Sequence, residues 1–195
     1  WRKLEENFGS ESEYLGFLRD SPSAAQRLCH ILSNSRFLGD ALNKSVESVT
    51  WLGNDESLQP RSRESLNIQT KATLERNAGN INDFANSIRA MRRHEIERIG
   101  LAWMSGVIDD EASLAGMTDV YDAAIEASLQ WSIRHRINDM QLEQAPAAIA
   151  IIGMGRYGGK EVNFSSDADV IIIYRPAEGA DDTQANLFAR KVQED

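Results

Sequence analysis

Apolar residues recur at steps of three and four along this sequence as far as residue 143. The pattern then breaks at Pro146, and this change of period constrains the fold more than any other feature. Before the break the chain reads helical almost throughout. Ser21 followed by Pro22 is an N-cap with proline at the first helical position, and Leu28, Ile31 and Leu32 follow at helical spacing. A second helix is predicted from about Ser35 to Leu52. Ser62 caps a third through Leu66, Thr70 and Leu74, which stops at Gly79. Asn82 caps a fourth, in which Phe84, Ile88, Met91, Ile96, Ile99 and Trp103 share one side until Gly106. Thr118 caps a fifth, where Tyr121, Ile125, Leu129, Ile133 and Ile137 recur every four residues. These segments predict a helical bundle or linker region over residues 1–143.

After Pro146 the apolar residues come in short runs. Residues 147–152 read as one strand, a glycine-rich corner follows, residues 167–174 read as a second strand, and residues 182–195 as a further helix. The fold class is therefore mainly α with a partial α/β part, with a domain boundary near residues 143–147. The sequence opens on Trp1 rather than Met, and residues 184–195 still read as helix without a terminating glycine or proline. Both ends read as cut, so the sequence reads as an internal piece of a longer polypeptide.

Composition narrows the functional classes. With 21 Lys and Arg against 30 Asp and Glu the formal charge is −9, which argues against a general nucleic-acid binder, since nonspecific affinity comes from cations on phosphates. The 42% hydrophobic content supports a packed core rather than an acidic disordered tail. A single cysteine, Cys29, makes no intrachain disulfide and points to a reducing, cytoplasmic setting. The longest apolar run, residues 145–154, is too short to span a membrane and contains Pro146.

The chemistry is concentrated in residues 153–170, which read GMGRYGGKEVNFSSDADV. Gly153, Gly155 and Gly158 form a literal G-x-G-x-x-G after a strand, the fingerprint of dinucleotide folds. The spacing argues against that fold. A parallel crossover needs a dozen or more residues, and too few lie here before the next strand, so an antiparallel return is predicted. In a strand running through Asp167 and Asp169, the period of two puts both carboxylates on one face, where a shared divalent cation would offset their repulsion. Mg²⁺ takes one or two carboxylates and completes its shell with waters and phosphates, which makes a nucleoside triphosphate the natural guest. Gly158 and Gly159 allow close backbone approach, and a short helix at residues 160–162 is predicted to turn its N–H groups toward the phosphates. The histidines His30, His94 and His135 lie on separate helices and read as structural. The basic run Arg89, Arg92, Arg93, His94 and Arg98 reads as a solvated or salt-bridged face, with domain docking as the alternative. Trp51, Trp103 and Trp131 read as core.

Gly158 and Gly159 followed by Ser166, Asp167 and Asp169 at the head of an apolar strand resemble the nucleotidyltransferase superfamily of polymerase-β type. The whole string from Gly153 to Val170 is similar to the glutamine synthetase adenylyltransferases, and residues 34–40 (NSRFLGD) and 91–99 (MRRHEIERI) have counterparts there too. The segment reads more like the C-terminal, adenylylating half of that tandem family than the deadenylylating half. The resemblance implies that residues 144–195 begin a nucleotidyltransferase catalytic domain. It further implies Mg²⁺-dependent transfer of AMP from ATP to a tyrosine of glutamine synthetase, AMP removal by phosphorolysis in the parent enzyme, and a PII-type signalling protein as a further partner. Asp167 and Asp169 would be the catalytic metal ligands, Gly158, Gly159 and Ser166 would cradle the triphosphate, and Lys160 and Arg156 would add charge. The superfamily's third carboxylate is not found before Asp195, so this piece alone is expected to bind nucleotide weakly and transfer little. The alternative is a noncatalytic interdomain module with an incomplete nucleotide site.

Overall fold

The computed structural model describes residues 12–195; the helical reading of residues 1–11 and the reading of Trp1 lie outside them. The chain is mainly helical, with one small antiparallel sheet, as its periodicity predicts. The described residues form two compact units: residues 62–92 with 117–195 make one, and residues 12–61 with 93–116 make the other.

The first unit begins with α1 (Ser12–Asp20), α2 (Pro22–Asn34) and α3 (Arg36–Lys44), continues through a 3₁₀ helix (Val46–Gly53) and the single turn α4 (Asp55–Leu58), and takes in residues 93–116. Ser21 sits at the α2 N-cap position, but its hydroxyl makes no cap bond. Ser35 caps α3 by accepting from the Leu38 N–H at 3.2 Å. The predicted single helix over residues 35–52 is thus two elements. The run Val46, Val49 and Thr50 is β-branched and lowers α-helical preference there, and the tighter winding buries Val49 and Leu52 against Leu28, Ile31, Leu42 and Leu101. This apolar cluster is the unit's core.

A charged cluster lies beside it. Glu95 is 2% exposed and accepts from Arg98 Nε at 3.2 Å and pairs with Arg61 Nε at 3.3 Å. The Arg98 guanidinium also donates to the Ser57 carbonyl and lies 4.1 Å from the centre of the Trp51 ring. Burial pulls the pKa of His94 below its ordinary value, against the carboxylate of Glu95. Of the predicted solvated or salt-bridged basic face, Arg98 is thus salt-bridged and turned inward, its buried charge paired with Glu95. Glu97 is the exception: it is buried, Ser48 hydrogen-bonds its carboxyl, and Oε1 has no partner.

The second unit contains α5 (Arg63–Arg76), the first half of α6 (Ile81–Met104), most of α7 (Asp110–Asp139), β1 (Ala147–Gly153), the turn α8 (Gly155–Gly158), β2 (Val170–Pro176) and α9 (Asp182–Glu194). Ser62 caps α5 as predicted, accepting from Ser65 N–H. The cap of α6 is Asn80, not Asn82: Asn80 Oδ1 accepts from the N–H groups of both Asn82 and Asp83. Helix α7 starts eight residues before Thr118, because Asp109 Oδ1 accepts from Ala112 N–H at 2.8 Å while Thr118 is buried mid-helix. Its most deeply buried stripe also differs from the predicted one, running through Met117, Val120, Ala124, Ala127 and Trp131. The alanines allow neighbours to approach closely, and the larger Leu129, Ile133 and Ile137 pack half-buried beside Ala147, Ala185, Phe188 and Val192. Trp131 is core, and its indole donates to the Asn77 carbonyl at 3.1 Å. Trp103 is 42% exposed, with its N–H on Asp110, so the expected core role fails for it.

β1 and β2 pair antiparallel over their full length, from Ala147 opposite Pro176 to Gly153 opposite Val170. The Rossmann reading of the glycine string is thereby excluded, since that fingerprint belongs to a parallel βαβ unit. Asp181 caps α9 by accepting from Gln184 N–H at 2.8 Å, and α9 buries Phe188 and Val192. No helix among the described residues is long and apolar enough to cross a membrane.

Candidate nucleotide site

The glycine corner follows directly from β1, and its geometry explains its composition. A Cβ at Gly158 would lie 2.4 Å from the Gly153 carbonyl oxygen, a backbone clash that no rotamer relieves. Gly155 sits at φ +53°, the left-handed region that glycine enters without strain. The close approach at Gly158 is therefore to the chain itself. The single turn α8 places Tyr157 inward, with its phenol donating to Asp122 Oδ1 at 2.6 Å and Asp122 paired to Arg63 at 2.7 Å. Burial raises the Tyr157 pKa above its ordinary value, and the charge of Arg63 opposes that rise. A ring this anchored fixes the corner to α5 and α7.

Two sequence expectations are corrected here. The helical turn is residues 155–158, not 160–162: Lys160 has φ +59°, and residues 161–163 are not helical. The left-handed backbone at Lys160 breaks the helix just where it was expected to begin. Secondly, β2 starts at Val170, so Asp167, Ala168 and Asp169 form an approach to the strand rather than part of it. The ladder continues by one bond, from Met154 N–H to the Asp169 carbonyl at 2.8 Å. Asx-turn chemistry absorbs the residues before it. Asn163 Oδ1 accepts from Ser165 N–H, Ser165 Oγ and Ser166 Oγ, each at 3.0 Å, and Ser166 Oγ accepts from Asn163 N–H at 3.0 Å.

Asp167 and Asp169 are exposed, and among the described residues neither carboxylate makes a hydrogen bond or ion pair. Asp169 Oδ2 lies beside the glycine corner, 3.3 Å from where a Gly155 Cβ would be. Ala168, Val170 and Ile172 line a cavity whose lining includes neither Asp167 nor Asp169. Arg156, Lys160, Gly158 and Gly159 are exposed on the corner. Ser166 is half-buried, with its hydroxyl engaged by Asn163 and its carbonyl 3.4 Å from the Tyr121 hydroxyl. Among the described residues no group of three His, Cys, Asp or Glu side chains is arranged to hold a metal. Sequence reasoning missed Asn163 and the Tyr157–Asp122–Arg63 chain. The pattern Asn-x-Ser-Ser signals the first as an Asx turn; nothing local signals the second, whose members are 35 and more residues apart.

The family model described as glutamate-ammonia ligase adenylyltransferase matches residues 25–194. A protein of Bifidobacterium longum (strain DJO10A), named as a bifunctional glutamine synthetase adenylyltransferase/adenylyl-removing enzyme, is 73% identical over all 195 residues. Proteins of the same name from Leifsonia xyli and Mycobacterium tuberculosis are 36% and 35% identical over 93% and 100% of the chain. The chain spans 18% to 20% of the length of these relatives.

Proposed function

The chain belongs to the glutamate-ammonia ligase adenylyltransferase family, and from that premise we propose that it carries the entrance of a nucleotidyltransferase domain acting on Mg-ATP. The observation that carries the reading is the pair of unpaired carboxylates, Asp167 and Asp169, beside a glycine corner whose own backbone contacts fix it in place. Two hard oxygen donors without internal partners suit a divalent cation that draws its remaining ligands from water and phosphate. Asp167 and Asp169 would hold that ion, which when bound lowers the pKa of an attacking hydroxyl and neutralises the leaving phosphates. Asn163 orients the Ser166 hydroxyl, Gly158 and Gly159 leave the corner open to a phosphate chain, and Arg156 and Lys160 add positive charge at its rim.

In this proposal the acceptor is a tyrosine of glutamine synthetase, the setting is cytoplasmic, and a PII-type protein regulates the whole enzyme, which also removes AMP by phosphorolysis. Residues 144–195 are the start of the catalytic domain, the helices before them a bundle or linker, and the third carboxylate comes from sequence outside the 195 residues. The adenylylating half is favoured by the Ser-Asp-Ala-Asp-Val string. Calorimetric titration with Mg-ATP tests the site. Saturable heat in the native chain, lost in Asp167→Asn with Asp169→Asn, is expected; equal heats in both refute it. A noncatalytic interaction role is the second reading for the first compact unit, which contains none of the candidate site residues.

A further inference from the structure

The second unit carries a half-open cavity of about 450 Å³ that the nucleotide reading does not use. Its walls are the inner side of the sheet at Ile151 and Ile172, the first half of α6 at Phe84 and Ile88, α7 at Ile125 and Trp131, and the end of α9 at Val192. The volume falls in the range of small-molecule sites, and the lining is apolar, as such sites mostly are. Ala168 and Val170 also line it, while Asp167 and Asp169 do not.

Its rim carries positive charge that no acidic side chain pairs among the described residues. Arg89 and Arg92 stand one turn apart on α6, both exposed, both lining the cavity. Neither makes an ion pair among the described residues, and Arg92 lies 5.5 Å from the centre of the Tyr121 ring. The acid that also lines the cavity, Asp195, is already engaged by Arg136, whose Nε donates to Oδ2 at 2.9 Å. In a chain with nine more acids than bases, two guanidiniums without an acidic partner at the mouth of an apolar cavity are conspicuous. Guanidinium forks recognise carboxylate, sulfonate and phosphate groups, and the chamber behind them rewards a ring or an aliphatic body.

We propose that this cavity is a binding site for a small organic anion with an apolar body, its charge held by Arg89 and Arg92 and its body seated between α6, α7 and the sheet. The proposal is independent of the Mg-ATP site.

The test uses 8-anilinonaphthalene-1-sulfonate and its uncharged analogue N-phenyl-1-naphthylamine as probes, followed by dye emission. The native chain is expected to bind the sulfonate at one saturable site about tenfold more tightly than the neutral dye, the worth of one charge-assisted contact at a half-open site. Arg89→Met with Arg92→Met removes that preference while leaving the neutral dye unchanged. Ser128→Trp, an exposed position on the cavity wall, blocks both dyes. Equal affinities for the two dyes in the native chain overturn the proposal. So does sulfonate binding that survives Ser128→Trp, which would place the dye on the open face of the sheet, or a double arginine variant with native circular dichroism and unchanged preference.

Discussion

Glu97 gives the first unit a measurable dependence on pH. Its carboxyl is buried with one oxygen unpartnered, and its pKa is pushed from an ordinary 4.5 to about 7. Burial is the main cause. The hydroxyl of Ser48 opposes the shift, the carboxylate of Glu47 adds to it, and the charges of Arg98 and Arg93 again oppose it. Between pH 4.5 and 7 the unfolded chain releases this proton while the folded chain keeps it. Stability must therefore fall as pH rises through that window, and stay level with respect to this group on either side. At about 1.4 kcal/mol per tenfold change in acidity the loss is about 3.5 kcal/mol. Replacing the group with Glu97→Gln removes the titration but leaves a buried amide, which costs a constant amount of about 1–3 kcal/mol. Urea unfolding followed by far-ultraviolet circular dichroism at intervals from pH 4 to 8 reads the difference. With a slope of about 2 kcal/mol per molar urea, the midpoint gap between native and variant changes by about 1.7 M across the window. Every other titrating pair is common to both proteins and cancels. A gap that stays constant over the whole range would refute the assignment of Glu97 as a buried carboxyl that is neutral when folded.

Gly158→Ala forces a Cβ to within 2.4 Å of the Gly153 oxygen, and the resulting backbone shift is expected to cost about 1–3 kcal/mol in the same denaturation assay and to weaken Mg-ATP heats. Phe188→Ala, which empties the centre of the second unit's core, should cost about 3–5 kcal/mol. Trp131→Phe keeps most of the packing but removes the indole donor from the Asn77 carbonyl, which still accepts from Asn80 N–H at 3.2 Å, a loss of about 0.5–1.5 kcal/mol. Asn163→Ala releases three hydrogen bonds from one oxygen, and should lower Mg-ATP affinity more than it lowers thermal stability.

The sequence yielded most where the signal was local. Ser35 and Ser62 are caps because the bond they make reaches only three residues ahead, and the short spacing after Gly158 was enough to predict an antiparallel return. Boundaries were lost where two capping residues compete, as with Asn80 before Asn82 and Asp109 before Thr118, since only the structure shows which oxygen faces the free N–H groups. The spacing of large apolar residues along α7 predicts a stripe that is only half-buried, because the closest packing goes to alanines. At the site, the carboxylates and glycines were visible in the string, yet the reason for Gly158 was a contact with Gly153 across the corner. The anchor of Tyr157 depends on Asp122 and Arg63, which only tertiary packing brings together.

The most direct measurement substitutes Mn²⁺ for Mg²⁺ and follows amide signals by nuclear magnetic resonance in the presence of ATP. Paramagnetic broadening is predicted to centre on residues 167–170 and on the corner at residues 155–159, and to vanish in the Asp167→Asn, Asp169→Asn variant. Broadening centred elsewhere, or unchanged in that variant, would contradict the account.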